Sequence, residues 1–207
     1  MDKSVKFWDR IADRYARRPI ADEAVYQKKL EITQEYLNPD MEVLELGCGT
    51  GSAAIIHAAH VKHIRATDAS PKMIEIARRR AKDSHIDNIS FEISSIDGLE
   101  VTGEDPDVVL ALNVLHLLEN RDEVVARIYK MLKPGGVFIS STVCLGASMW
   151  WLKIIMPVGN ALGWLPSIKF FTSNQLKLCL QEAGFDIDHL WQPEKAHSVF
   201  IVARKPV

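Results

Sequence analysis

The chain has 207 residues, a formal net charge of −2, and 47% hydrophobic against 25% charged residues. This length favours a single domain, and the composition is that of a soluble globular protein, which excludes disordered and fibrous chains. A near-neutral charge lacks the basic footprint of nucleic-acid-binding domains. Three widely spaced cysteines form no metal-type Cys-x-x-Cys pair and indicate a reducing compartment. No apolar signal-peptide core follows the N-terminus, so we expect a cytoplasmic protein.

Residues 1–38 predict a helical cap that precedes the main fold. Phe7, Ile11 and Tyr15 recur at helical spacing, as expected for one face of a helix. Pro19 and the residue before it interrupt this pattern. A second helix is predicted from about Asp22 to Leu37.

From residue 42 onward, short apolar runs typical of strands alternate with amphipathic stretches typical of helices. This alternation predicts a parallel sheet that binds ligands at the carboxyl ends of its strands. A Pro-containing turn joins the last two runs, which indicates a hairpin. We therefore predict an α/β fold with a doubly wound, seven-stranded, mostly parallel sheet and an antiparallel last strand. The predicted strands are Glu42–Leu46, His63–Thr67, Ile89–Ile93, Val108–Leu112, Val137–Val143, Phe185–Trp191 and His197–Ala203.

The helix starts carry local capping signals. Ser70 is a candidate N-cap with Pro71 in the first helical position. Residues 172–175 are typical of a capping box, and Gly184 is a candidate C-terminal stop. The predicted helices of this part are Ser52–Ala59, one that starts at Pro71, one around Val124–Leu132, and Leu176–Ala183.

A glycine-rich loop follows the first predicted strand and is the strongest local signal. Gly47, Gly49 and Gly51 alternate directly after that buried strand and before a helix. Glycines let the backbone turn sharply and let a ligand touch the main chain. Asp68 ends the second predicted strand about twenty residues later, where a carboxylate can accept the hydroxyl protons of a ribose. Together these features predict a nucleoside site, although the glycines alone could also serve only as a tight turn.

Two nucleoside cofactors could bind at such a loop. A dinucleotide needs Gly-x-Gly-x-x-Gly with its pyrophosphate at the helix N-terminus, but here the third glycine comes one residue early and Ser52 takes its place. S-adenosylmethionine (SAM) carries no phosphate but does carry a positive sulfonium and amine. Glu45, just before the loop, suits such a cation and disfavours a pyrophosphate.

The sequence resembles the small, one-domain class I SAM-dependent methyltransferases, from its aromatic opening at Phe7 to Lys205. The motifs that carry the resemblance are specific as a set and weak singly. They are Glu45–Gly51, Thr67–Met73, Val109–His116 and Leu132–Phe138.

The resemblance implies a set of residues that contact SAM. Asp68 would hold the ribose hydroxyls, Met73 would pack near the adenine, and Asn113 would lie beneath the cofactor. Cys48 would be a small filler in the loop. The full implied set is Glu45, Gly47, Cys48, Gly49, Thr50, Asp68, Ala69, Met73, Ser95, Ile96 and Asn113.

Two departures from the family pattern could lower the affinity for SAM. Where the family usually has Gly-Asp-Ala after the third strand, this chain has Ser94, Ser95 and Ile96. Asp97 could replace the missing carboxylate through a shifted loop. Before the fourth strand, a proline stands where an aromatic residue usually precedes the aspartate.

Methyl transfer from a sulfonium is an in-line displacement, so the protein mainly aligns and desolvates the reactants. A general base is needed only if the acceptor loses a proton near the transition state. His116, close to the end of the fourth predicted strand, is the candidate base, with a packed or surface histidine as the alternative. Tyr15 and Tyr26 could cap the site or pack in the core. We predict no metal site.

An apolar insertion over residues 144–171 is the most individual segment, and its tryptophans and methionines could form a deformable lid. Three interpretations remain open for it. They are a lid over an apolar acceptor, peripheral membrane contact through residues 149–165, and a subunit contact or extra core. The oligomeric state is not predicted.

The sequence thus predicts a single domain, residues 1–207, that transfers a methyl group from SAM to a small, apolar acceptor. Two alternatives were weighed. One is a SAM-binding regulatory protein without transferase activity. The other is a nucleotide-dependent oxidoreductase, which the altered glycine pattern disfavours.

Overall fold

The computed structural model describes residues 3–96, 105–144, 165–166, 168–193 and 198–207. The strands are β1 Glu42–Leu46, β2 His63–Asp68, β3 Ile89–Ile93, β4 Val108–Leu112, β5 Val137–Val143, β6 Asp186–Trp191 and β7 Ser198–Arg204. The helices are α1 Lys3–Ala16, α2 Glu23–Gln34, α3 Ser52–His57, α4 Pro71–Asp83, α5 Arg121–Met131 and α6 Ser173–Glu182. Short 3₁₀ helices cover Ala58–His60 and Leu115–Leu117.

The seven strands form one sheet in the order β3-β2-β1-β4-β5-β7-β6. The strands from β1 to β5 are parallel, and β7 runs antiparallel to both β5 and β6. The strand order reverses between β1 and β4, and crevices at such switch points bind ligands. This topology confirms the predicted α/β fold and the antiparallel last strand, and places β3 at one edge of the sheet.

Helices cover both faces of the sheet and bury two apolar clusters. On one face Ile128 of α5 and Leu176 of α6 pack against the sheet. On the other face Ile32 of α2 and Ile74 of α4 do the same. Strand β4 is buried at four of its five positions, which explains its unbroken apolar sequence because it has no solvent-facing side.

The predicted helix caps are present. Ser70 caps α4 by accepting the N–H of Met73 at 3.1 Å, and Pro71 follows it. Thr172 and Gln175 form a reciprocal capping box at α6. Gly184 adopts a positive φ of 103° just after that helix. The predicted helix lengths were less accurate, because α2 already ends at Gln34 and α3 becomes a 3₁₀ helix at residue 58.

Helix α1 is attached to α4 by polar and apolar contacts. Asp9 accepts hydrogen bonds from the Ser70 hydroxyl at 2.6 Å and from the Lys72 N–H at 3.1 Å. Ala12 packs beside Met73 in a small buried cluster. The helical cap predicted from the sequence therefore lies against the helix that follows β2.

Part of the predicted insertion cannot be compared with the structure. Residues 145–164 and 167 lie outside the described ranges, as does Asp97. The interpretations of the insertion as lid, membrane contact or subunit contact therefore remain predictions. In the described ranges, no helix combines the length and the apolar character needed to cross a bilayer.

His57 is a fully buried core residue at the end of α3. Neither of its ring nitrogens has a hydrogen-bond partner among the described residues. Burial, together with the nearby His60, lowers the pKa of His57 to about 4. The imidazole is therefore neutral in the folded protein at neutral pH.

We expect His57 to make the protein sensitive to acid. The unfolded chain takes up a proton near pH 6.5 and the folded chain only near pH 4, so the free energy of unfolding decreases as pH falls between these values. His57→Leu should lose less stability than wild type over this interval, by up to about 1.4 kcal/mol per unit of pKa difference. Urea unfolding from pH 8 to pH 4 measures this. At pH 8 His57 is neutral in both the folded and the unfolded wild type, so the difference in stability between variant and wild type there reports only the change in packing. Parallel curves of stability against pH for the two proteins would contradict the prediction.

Candidate functional site

The glycine loop after β1 owes its path to backbone geometry. Gly47, Gly49 and Gly51 have φ values of 67°, 55° and 76°, a region that favours glycine. At Gly47 a Cβ would lie 2.6 Å from the Cγ2 atom of Val114, so no other residue fits there. At Gly49 the nearest atom to a Cβ would be Tyr15 Cε1 at 3.9 Å, which leaves room above the loop.

Asp68 ties the end of β2 to this loop. Its Oδ2 accepts the N–H of Gly49 at 2.9 Å, and its Oδ1 accepts the N–H of Ser70 at 2.8 Å. Burial raises the pKa of Asp68, while these two N–H donors act in the opposite direction. Because a carboxylate offers about four lone-pair sites, each oxygen can still accept a further hydrogen bond from a ligand.

Glu45 is a buried carboxyl group beneath the same loop. The N–H of Ala54, in the first turn of α3, donates to it. Its Oε2 has no hydrogen-bond partner in the part of the chain that the structure describes. Burial and the negative charge of Asp68 raise the pKa of Glu45 to about 8. A nearby cation would stabilise the ionised form, so the site is suited to a positively charged ligand.

Three amides of the glycine loop, those of Cys48, Gly49 and Gly51, are already bonded within the protein. The Cys48 N–H donates to Thr67 O at 2.9 Å, and the Gly51 N–H donates to Cys48 O at 3.0 Å. The Gly49 N–H is bound to Asp68, and the start of α3 faces the carboxyl group of Glu45. A pyrophosphate needs N–H groups of this kind and would be repelled by the carboxylate of Asp68. The site therefore fits a cationic nucleoside better than a dinucleotide.

The loop after β4 meets the glycine loop. Asn113 has a positive φ of 60°, which asparagine tolerates better than most residues. Its N–H donates to Ser141 O on β5 at 2.6 Å. The next residue, Val114, packs on Gly47. This junction brings Asn113 to the same end of the sheet as Glu45 and Asp68.

A family model described as "Methyltransferase domain" matches residues 37–200 of this chain. The chain belongs to this methyltransferase family. The match includes the glycine loop, Asp68, Asn113, the strands β1 to β6 and the start of β7. The class I SAM-dependent methyltransferase predicted from the sequence is thereby confirmed as the family and enzyme class.

One curated relative aligns along most of both chains. The ubiquinone biosynthesis O-methyltransferase of Rickettsia canadensis (strain McKiel) is 29% identical over 196 residues, which cover 90% of this chain and 80% of the relative.

Solved structures share the fold at lower identity. The phosphoethanolamine N-methyltransferase 2 of Haemonchus contortus, in complex with S-adenosyl-L-methionine, aligns with a TM-score of 0.73 and 15% identity over 88% of this chain and 53% of that one. The [4+2]-cyclase SpnF aligns with a TM-score of 0.72 and 18% identity over 87% of this chain and 80% of that one. Since a cyclase shares this architecture, the fold alone does not decide the reaction.

The structure brings some of the remaining predicted site residues to the same region. Ala69 lies between Asp68 and the cap of α4, and Cys48 is buried in the loop. Burial raises the pKa of the Cys48 thiol, beside the acidic Glu45 and Asp68. The thiol therefore stays protonated, and a nucleophilic role is disfavoured. The Ser94 N–H donates to Asp68 O at 3.0 Å, which brings exposed Ser95 beside the end of β2.

Three residues that are predicted to contact the cofactor have side chains that contact other parts of the protein in this structure. Met73 is 2% exposed and packs under α1. Ile96 is buried on the opposite, α5-covered face of the sheet. The hydroxyl of Thr50 accepts a hydrogen bond from Arg80 at 2.9 Å. Their contacts with a cofactor stay predictions.

His116 lies on the 3₁₀ helix after β4 and is 9% exposed. Its Nδ1 has no partner among the residues described, and its backbone oxygen accepts the Lys169 N–H at 2.8 Å. Burial lowers the pKa of His116 to about 4. The imidazole is thus neutral at pH 7 and able to accept a proton, although it is a weak base.

Sequence reasoning did not identify the contacts that hold the N-terminal cap over the loop. Arg80 donates to Ala16 O at 2.7 Å and to the Thr50 hydroxyl, so one side chain joins α1, α4 and the loop. Tyr15 lies beside Gly49, the residue that donates to Asp68. Burial raises the pKa of both Tyr15 and Tyr26, and the charges of Asp68 and Glu45 act in the same direction on Tyr15 and Tyr26 respectively. No sequence motif marks Arg80, since it stands in a run of three arginines.

We expect Glu45 to destabilise the protein without ligand at high pH. The unfolded chain loses this proton near pH 4.5, whereas the folded chain keeps it up to about pH 8. The free energy of unfolding therefore decreases as pH rises between these values. Glu45→Gln keeps the shape and removes the titration, so it should lose less stability than wild type from pH 5 to pH 9. Chemical unfolding across this range measures the effect, with the exposed Glu75→Gln as control. A Glu45→Gln curve that parallels wild type would contradict the prediction.

Proposed function

We propose that the chain transfers the methyl group of SAM to an oxygen atom of a small, apolar acceptor. The observation that carries the proposal is the pair of carboxyl groups, buried Glu45 and half-buried Asp68, beside a loop in which the amides of Cys48, Gly49 and Gly51 are already bonded within the protein. Family membership supports methyl transfer, and the relative named as an O-methyltransferase supports oxygen as the methylated atom.

In this proposal each carboxyl group recognises one part of SAM. Asp68 accepts the ribose hydroxyls through its free lone pairs. Glu45 becomes ionised when the cationic methionine half arrives, because the positive charge offsets the penalty of burial. Asn113 borders the same half from β4. The adenine lies toward β3, beside Ser95.

SAM would supply an activated methyl group on a sulfonium, so no nucleophilic side chain is required. The protein's residues bind the two reactants, align them and exclude water. Tyr15 and the rest of the N-terminal cap shield the loop from solvent. His116 remains the candidate base for an acceptor that binds with its hydroxyl proton in place. Residues 144–171 are the candidate lid over the apolar acceptor.

Calorimetric titration with SAM, S-adenosylhomocysteine and NAD tests the proposal most directly. We expect binding of the first two and none of NAD. Conversion of SAM to S-adenosylhomocysteine with a phenolic or quinol acceptor would then separate the transferase from a regulatory SAM-binding protein. Binding of NAD instead of SAM would overturn the proposal.

Asp68→Ala should weaken SAM binding at least about tenfold. The variant loses charge-assisted hydrogen bonds to the ribose, which typically contribute about 1.5–3 kcal/mol each. It also loses the ties to Gly49 and Ser70, so the thermal midpoint must be recorded to separate folding from binding. Calorimetry on the folded variant is the measurement. Wild-type affinity for SAM in this variant would show that Asp68 only stabilises the loop and does not bind the cofactor.

Gly49→Val should abolish SAM binding more completely than Asp68→Ala. A branched side chain would fill the space between the loop and Tyr15, where the cofactor meets the backbone. Gly135→Val is the matched control. Gly135 has a positive φ of 76°, but the Cβ of the variant would approach only Val207, at 3.6 Å. The control should show similar backbone strain with normal SAM affinity. Equal affinities of the two variants would mean that the loop is only a turn.

A further inference from the structure

Lys29 of α2 places an ammonium group over the carboxyl ends of the central strands. Its Nζ donates to the Ser141 hydroxyl at 2.9 Å and to the Ser198 hydroxyl at 3.3 Å. Ser141 is in register with Leu112, the last residue of β4. Ser198 is in register with Val143, the last residue of β5. The ammonium therefore lies at the end of the sheet where the loops after β1 and β4 meet.

Lys29 and Glu45 lie over the same face of the sheet. Glu45 is in register with Leu110 on β4, and Leu110 is in register with Ile139 on β5. Ser141 comes two residues after Ile139, so its side chain points to the same face as that of Glu45. Two strand spacings of about 4.8 Å and an offset of two residues along the strand place Glu45 and Ser141 roughly 12 Å apart. Along the sheet, Asp68 on β2 thus lies on one side of Glu45, and Lys29 over β5 lies on the other side.

This position is where the proposed function leaves room for the acceptor. The ribose lies at Asp68 on β2 in that proposal, and the methionine half at Glu45 on β1 and Asn113 on β4. The next strand along the sheet is β5, which carries Ser141 and lies beneath Lys29. A group held by Lys29 would lie beyond the methionine half, on the side opposite the ribose.

The charge of Lys29 has no counter-ion among the described residues. Its contacts are hydroxyl oxygens, and no carboxylate there comes within 4 Å of its Nζ. Burial lowers the pKa of Lys29. Lys29 is half-buried, and the two hydroxyl groups offset only part of the cost of desolvating its charge. An anionic oxygen of a ligand would provide the missing charge and take the third donor position of the ammonium.

We propose that Lys29 determines the specificity for the acceptor by binding an ionised hydroxyl oxygen, that of a phenol or enol, beside the methionine half of the cofactor. The inference rests on the proposed function and deepens it. When the acceptor binds in its ionised form, the hydroxyl proton leaves to solvent and the oxygen keeps its electron pair. Lys29 stabilises that form, and the two serine hydroxyls orient its ammonium.

Ionisation of 4-nitrophenol tests this role without turnover, because only its phenolate absorbs in the visible range. The wild-type protein saturated with S-adenosylhomocysteine should bind the phenolate form and increase its absorbance at constant pH. Lys29→Met should weaken phenolate binding about tenfold, the usual effect of losing one charge-assisted hydrogen bond. Lys29→Gln can still bond to the serine hydroxyls, so it tests the loss of charge if the methionine variant folds poorly. Lys29→Arg should retain part of the binding.

Lys28→Met is the matched control, because Lys28 is the adjacent residue and its side chain is 53% exposed and paired with Glu31. It should bind 4-nitrophenolate as wild type does. Equal phenolate binding by wild type and both charge-free Lys29 variants would overturn the inference, as would a wild type that binds S-adenosylhomocysteine but no phenolate. In both cases the proposed function survives. Failure of the wild type to bind S-adenosylhomocysteine would overturn the proposed function and the inference together.

Discussion

The site depends on one carboxylate that joins two loops. Asp68 ends β2, and its two oxygens hold the N–H groups of Gly49 and Ser70, which belong to the glycine loop and to the cap of α4. The bond to Asp68 occupies the Gly49 amide and leaves lone pairs on the carboxylate for a ligand. Burial, together with the negative charge of Asp68, raises the pKa of Glu45. The preference for a cationic, phosphate-free nucleoside follows from this arrangement.

The N-terminal cap completes the site through the same helix. Asp9 of α1 binds the Ser70 hydroxyl, and Arg80 of α4 reaches both the end of α1 and Thr50 in the loop. These contacts hold Tyr15 above Gly49. Loop, α4 and cap are therefore mechanically linked, so a change at any of them should alter the cofactor site.

Charge is distributed unevenly across the end of the sheet. Carboxyl groups lie at the ends of β1 and β2, whereas the ammonium of Lys29 lies over β5 and β7. A cationic cofactor beside Glu45 and an anionic acceptor beside Lys29 would offset both desolvation penalties at once. An acceptor that binds already ionised beside Lys29 would need no proton transfer to the neutral His116.

The sequence by itself determined the strands, the capped helices and the ligand-binding end of the sheet, because these features depend on residues within a few positions of one another. Apolar runs mark the buried strands, and the Ser70 cap acts three residues along the chain. The tertiary structure alone decided how Lys29 meets Ser141 and Ser198, which are 112 and 169 residues away. It also decided the burial of Met73 under α1. Contacts between such distant residues leave no periodicity or spacing in the sequence, since they form only when separate elements pack together.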